Sequence, residues 1–258
     1  MKGTFSTSAF TRCTTAMFAA FAIAGAAWAD DDESDEGEIP FAEAQVLVQL
    51  NDADGDLGFH ARIDGDAWKR LTIESPSGKT LLKVNLRGSL RRQGLTEFAF
   101  ESAEPTFDVL PPSVFFDRFP EGEYEIEGVG VDGAEIESVS TLSHLIPAAP
   151  TNLSVSGVPA PPDCDGALPI VSDPIVIAWD PVFSSHAELG RPGDIEVESY
   201  EIAVEGETVD YSVNVPADQT ELVLASGAIP PGEEVKYQIL VREAEGNETS
   251  NESCFIAP

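Results

Sequence analysis

The sequence predicts an all-β protein of two tandem β-sandwiches behind a cleaved export signal. Three observations carry that expectation. From Ile39 to Ile146 apolar residues fall in short runs separated by Asp-Gly, Ser-Pro and Pro-Glu-Gly turn signals, with almost no helical period. Pro147-Ala148-Ala149-Pro150 then interrupts the pattern as a stiff connector. Beyond it, Tyr200, Ile202 and Val204 alternate as one face of a half-buried strand, and Tyr211, Val213 and Val215 do the same.

Taken in order, residues 1–29 read as a signal peptide. Lys2 and Arg12 supply the positive start, Ala16 to Ala26 an apolar run too short to span a bilayer, and Ala27-Trp28-Ala29 a small-x-small cleavage site. Residues 30–38, almost entirely Asp and Glu, have nothing to bury and are expected to be a disordered acidic segment. Residues 39–146 are assigned to an N-terminal sandwich. Its expected strands are Ala44–Leu50, Gly58–Ile63, Trp68–Glu74, Thr80–Leu86, Thr96–Glu101, Glu123–Val131 and Ser138–His144, with turns at Asp54-Gly55, Asp64-Gly65, Ser75–Gly78 and Asp132-Gly133. Ser113–Phe119 is expected to form one helical turn capped by Ser113. Residues 147–150 are the linker and 151–258 the second sandwich; no internal repeat relates the two.

The second half carries a family resemblance. Pro150-Thr151-Asn152-Leu153, Ile175–Val182 with Trp179, Tyr200–Val204, Pro231–Ile239 and Gly246-Asn247-Glu248-Thr249 together resemble a fibronectin type III module. The resemblance implies an immunoglobulin-like sandwich with Trp179 buried between its sheets, and interaction or spacing rather than catalysis. One departure is visible: Val235 stands where the family places its corner tyrosine, and Tyr237 comes two residues late. No Arg-Gly-Asp tripeptide occurs, so the integrin-binding loop of some members does not transfer. Two cysteines, Cys164 and Cys254, follow the signal, and an even pair in an oxidising compartment is expected to be bridged. The implied topology puts both at one end of the module. The N-terminal half, in Asp54–His60, Gly94–Glu97, Glu101–Pro105 and Arg118–Tyr124, resembles a region of uncharacterised exported bacterial proteins that also carry such modules, which implies architecture alone. Pro120-Glu121-Gly122-Glu123-Tyr124 is similar to the turn-then-tyrosine entry to a late strand of immunoglobulin-like domains.

Charge narrows the partners. The chain has 46 acidic and 14 basic residues, a net charge of −32 that becomes more negative once Lys2 and Arg12 leave with the signal. Nucleic acid and anionic lipid are poor partners for such a surface. The expected location is periplasmic or extracellular, with no membrane span.

Three sets of residues could carry chemistry. Asp52, Asp54, Asp56 and Asp64, around the Asn51–His60 loop, are candidate Ca²⁺ ligands, because alternating carboxylates about Gly55 can converge oxygens on a hard cation. The competing reading is an ordinary Asp-Gly hairpin. Lys83, Arg87, Arg91 and Arg92 form a basic stretch suited to an anionic partner, unless they pair with Glu123, Glu125 and Glu127. Glu97, Glu101 and Glu104 could serve a hydrolase only if two of them faced each other across a cleft, and His60 reads as a buried histidine more readily than as a ligand or base. No nucleophile elbow, zinc-protease motif or phosphate loop is present. The leading expectation is therefore an exported non-enzymatic binding or spacer protein recognising a protein or polysaccharide. The alternatives are a Ca²⁺-stabilised carbohydrate-binding accessory protein and an unrecognised hydrolase.

Overall fold

The computed structural model describes residues 39–161 and 163–258; the signal peptide and acidic segment lie outside the described residues. The N-terminal half contains β1 (Glu43–Asn51), β2 (Asp56–Glu74), β3 (Thr80–Asn85), α1 (Gly88–Gln93), β4 (Leu95–Glu101), α2 (Pro112–Arg118), β5 (Gly122–Gly130) and β6 (Glu135–Leu142). The C-terminal half contains β7 (Thr151–Val155), β8 (Val158–Pro159), β9 (Val176–Asp180), β10 (Val197–Gly206), β11 (Asp210–Pro216), β12 (Glu221–Val223), β13 (Glu234–Glu243) and β14 (Glu248–Ile256).

β2 organises the first half. The Asp64-Gly65 signal predicts a turn, but the chain stays extended through it, so two expected strands are one of 19 residues. Register shifts between Asp64 and Trp68 bend β2. Its first part then pairs β1 and β4, and its second part β3 and β5. Phe41 packs against Gly65, where a Cβ would lie 3.0 Å from the ring. Glycine therefore serves a bend beneath an aromatic ring here, not a hairpin. Both parts of β2 feed one core: Leu57, Phe59, Ala61 and Ile63 meet Trp68, Leu71, Ile73, Tyr124 and Ile126. The expected helical turn is α2, which begins and ends one residue earlier than expected, with Phe119 at its C-terminal cap. Pro112 opens it and Pro111 holds the cap position, with no side-chain cap from Ser113; a proline at the first turn loses no hydrogen bond.

In the C-terminal half, β12-β9-β7-β8 form one sheet and β11-β10-β13-β14 face it. Trp179 and Tyr200 meet edge-on between them at 5.3 Å. Cys164 and Cys254 are bridged, with Cα atoms 5.5 Å apart.

The two halves share a sheet. β1 runs parallel to β14, with Gln49, Leu50 and Asn51 opposite Glu248, Thr249 and Ser250, which joins the β11-β10-β13-β14 layer to the N-terminal strands in a ten-stranded sheet. The seam is polar and buried. Asn247 accepts from the Val48 amide and donates to Ser143 O and Leu145 O, and Thr249 Oγ1 donates to Pro147 O. Both Glu248 oxygens are gripped by Arg62 from β2, while Arg242 from β13 donates Nε to Oε1 at 2.7 Å. Pro147, Ala149 and Pro150 of the expected linker are themselves buried.

The corner tyrosine stands in the other half. Tyr124 at the start of β5 donates to Pro120 O, four residues upstream, at 3.0 Å, while the buried Tyr237 hydroxyl has no partner at hydrogen-bonding geometry. Burial pushes the ionisation of both hydroxyls up to about 12. Removing the hydroxyl should therefore have opposite results. Tyr124→Phe is expected to cost about 1 kcal/mol in urea unfolding, and Tyr237→Phe to be neutral or slightly stabilising.

Candidate functional site

The Asp-rich segment folds as a hairpin loop between β1 and β2. Gly55, at φ 68°, donates its amide to Asn51 O. Asn51 Oδ1 accepts from the Ala53 and Asp54 amides, and its Nδ2 donates to Asp54. Asp52 points away to His186 of the C-terminal half, Oδ1 to Nε2 3.1 Å. Asp64 lies eight residues along β2 from Asp56, about 26 Å at strand rise. Asp52, Asp54, Asp56 and Asp64 thus do not surround a common point, because extended backbone separates what short sequence spacing suggested.

A different set comes together on the face of β2 bearing Asp56, Gly58 and His60, opposite to core-facing Leu57, Phe59 and Ala61. Glu101 is the cross-strand partner of His60. After β4 the chain keeps alongside β2: Ser102 N donates to Phe59 O, Ser102 Oγ accepts from Phe59 N, and Thr106 bridges to Asp56. That path lays Glu104 over Gly58, with Oε1 3.2 Å from His60 Nε2. Gly58 has a steric reason to be glycine, since a Cβ there would collide with both Glu104 Oε1 and His60 Nε2. One donor atom from each of His60, Glu101 and Glu104 lies within 4.8 Å of the other two. His60 is 8% exposed and Asp56 9%, and Asp56 Oδ1 has no hydrogen-bond partner.

Burial, reinforced by the negative charge of Glu104 and Asp54, raises the Asp56 carboxyl from 3.8 to about 6. The sign for stability follows. Below pH 3.8 both folded and unfolded chains hold the proton; between 3.8 and 6 only the folded chain does, so this group makes stability fall as pH rises; above 6 the penalty is constant. Asp56→Asn, measured in EDTA, is expected to remove that slope and to raise stability at pH 7.5 by about 2 kcal/mol, somewhat under the full equivalent of the shift because neighbouring carboxylates are partly solvated. Equal pH profiles for the two proteins between pH 4 and 6 would refute the assignment.

Lys83, Arg87, Arg91 and Arg92 are all exposed, on β3 and around α1. The alternative of pairing with Glu123, Glu125 and Glu127 does not materialise, because β2 lies between: Thr72 faces Lys83 on one side and Glu127 on the other. None of the four cations makes an ion pair with a described residue. α1, which brings Arg91 and Arg92 to the surface, has no buried residue and no apolar period, so nothing in the pattern announces it. Among the described residues β3 pairs with β2 alone, so the basic stretch borders a sheet edge there.

A wide groove of about 880 Å³ opens between the halves, lined by Glu43, Glu121, Glu198 and Glu245 with Arg191 and Arg242. Two of its carboxylates, Glu121 and Glu245, are held by one arginine. Arg191 lies 3.1 Å from Glu121 and 3.6 Å from Glu245, and the His144 amide and Arg191 hold Glu121 below its usual range. A glycosidase needs one carboxyl pushed the other way.

No family model matches the sequence, and no curated protein does. Among solved structures, the FN1–FN3 domains of chicken CNTN1 match 85% of this chain and 68% of theirs at 11% identity, TM-score 0.32. The two-domain fibronectin type III segment of chicken tenascin matches 83% of this chain and 99% of its own at 15% identity, TM-score 0.28. Strand order and the buried Trp179, rather than these overlaps, identify the sandwich. The C-terminal half has the fibronectin type III fold. Within that fold, β7, β9 and β12 form one layer and β10, β11, β13 and β14 the other; β1 of the first half extends the second layer.

Proposed function

We propose that the protein is an exported, non-enzymatic binding or spacer protein that engages an anionic protein or polysaccharide surface through the basic edge formed by β3 and α1. The observation carrying this reading is that Lys83, Arg87, Arg91 and Arg92 stand exposed, without an ion-pair partner among described residues, in a chain with 46 acidic ones. Four such cations amid so much negative charge are available to an outside partner, and arginine forks suit carboxylate, sulfate or phosphate groups. The fused sheet supports a spacer role by holding this edge at a fixed attitude to the second sandwich. Export is supported by the Cys164–Cys254 bridge, which suits an oxidising compartment. No helix among the described residues is long and apolar enough to cross a membrane.

The test is binding of the purified chain to immobilised envelope extract and to an acidic polysaccharide, with neutral dextran as control. Binding should weaken with salt. Replacing Arg87, Arg91 and Arg92 together by Glu should weaken it by at least about tenfold for each charge-assisted hydrogen bond removed. Retention on dextran, or binding indifferent to the three substitutions, would contradict the proposal.

A further inference from the structure

We infer that His60, Glu101 and Glu104 form a binding site for one divalent transition-metal cation, zinc fitting best, with a water in the fourth position and the Asp56 carboxylate adding negative charge nearby. The three donor atoms already lie within 4.8 Å of one another. They are brought there by three devices: the His60–Glu101 strand pair, the extended path from Ser102 to Thr106, and a glycine at position 58 whose missing side chain makes the space. Asp56 supplies an independent pointer. It is nine-tenths buried, sits on the same face two residues from Gly58, and its Oδ1 has no partner. A buried, unsatisfied carboxylate oxygen is costly unless something outside the protein completes it.

The His60–Glu104 ion pair does not complete the set. It occupies one oxygen of one carboxylate and leaves Glu101 and Asp56 beside it, with no Lys or Arg among described residues paired to any of the three acids. A doubly charged ion is the counter-charge this arrangement lacks. Imidazole with carboxylates suits zinc or manganese, whereas Ca²⁺ prefers six to eight oxygens and gains little from a histidine. Zinc takes four ligands at about 2.0–2.2 Å; Glu101, exposed at the strand end, is free to rotate inward. This set contains none of the loop carboxylates Asp52, Asp54, Asp56 and Asp64.

The experiment uses the purified chain, stripped with EDTA, and follows its melting temperature and bound metal as ZnCl2, MnCl2 or CaCl2 is added. One zinc per chain is expected, with a rise of about 5 °C at 100 times Kd and a smaller response to calcium. Glu101→Gln should weaken zinc binding about tenfold or more, the shift being read against that variant's own metal-free melting temperature. His60→Ala should abolish the zinc response. His186→Ala, which removes the separate histidine–carboxylate pair with Asp52, should leave that response intact. The inference is overturned by any of three results: no zinc shift up to 1 mM, a shift that survives both Glu101→Gln and His60→Ala, or a shift lost with His186→Ala.

Discussion

Glu248→Ala is expected to lower stability by about 3 kcal/mol, read from urea unfolding. Glu248 is fully buried at the start of β14 and binds Arg62 through both oxygens and Arg242 through one, so it ties β2, β13 and β14 together across the seam. Deleting it strands two guanidinium groups. Breaking a buried ion pair from one side commonly costs about 3–5 kcal/mol; the lower figure applies here, since Arg62 and Arg242 keep 31% and 27% of their side-chain exposure and can recover some water. The same geometry determines the arginine. Burial opposes the charge on Arg62, but its bonds and attraction to Glu248 outweigh that and raise its ionisation above the ordinary range. Arg62→Ala should cost less than Glu248→Ala, because Arg242 still satisfies the carboxylate. A double-mutant cycle that finds Arg62 and Glu248 additive would contradict the tie.

Cys254→Ser is expected to cost about 4–5 kcal/mol and to lower the melting temperature by about 10 °C or more. The bridge closes a loop of 90 residues that contains all of β9 through β13. On the chain-entropy model its effect lies in the unfolded ensemble, which it compacts. Cys164→Ser should therefore match Cys254→Ser closely, although Cys164 lies in a loop and Cys254 in a buried strand. A large difference between the two variants would locate the effect in native packing at Cys254.

Much of the fold is legible in the sequence because alternation survives into structure wherever one face of a strand is buried. Ala44–Leu50, Thr96–Glu101 and Glu123–Val131 emerge within a residue or so as β1, β4 and β5. Asp64-Gly65 misleads because the dipeptide that favours a hairpin also permits a bend, and only packing by Phe41 decides between them. The seam is invisible for a different reason. Its buried run Asn247-Glu248-Thr249-Ser250 is polar, and its partners lie about 200 positions away, so neither hydropathy nor spacing marks it. The metal-binding candidate is half legible. His60 and Glu101 stand out separately, but their meeting depends on strand register, and the place of Glu104 depends on the path after β4. A glycine between two polar residues on one face of a strand, Asp56-x-Gly58-x-His60, is the available signal.

Whether the two sandwiches form a single body through β1 and β14 is tested most directly by differential scanning calorimetry of the chain from residue 30. The shared sheet predicts one transition whose calorimetric and van't Hoff enthalpies agree, with Glu248→Ala splitting or broadening it. Two resolved transitions in the unaltered protein, each reproduced by the matching isolated half, would contradict it.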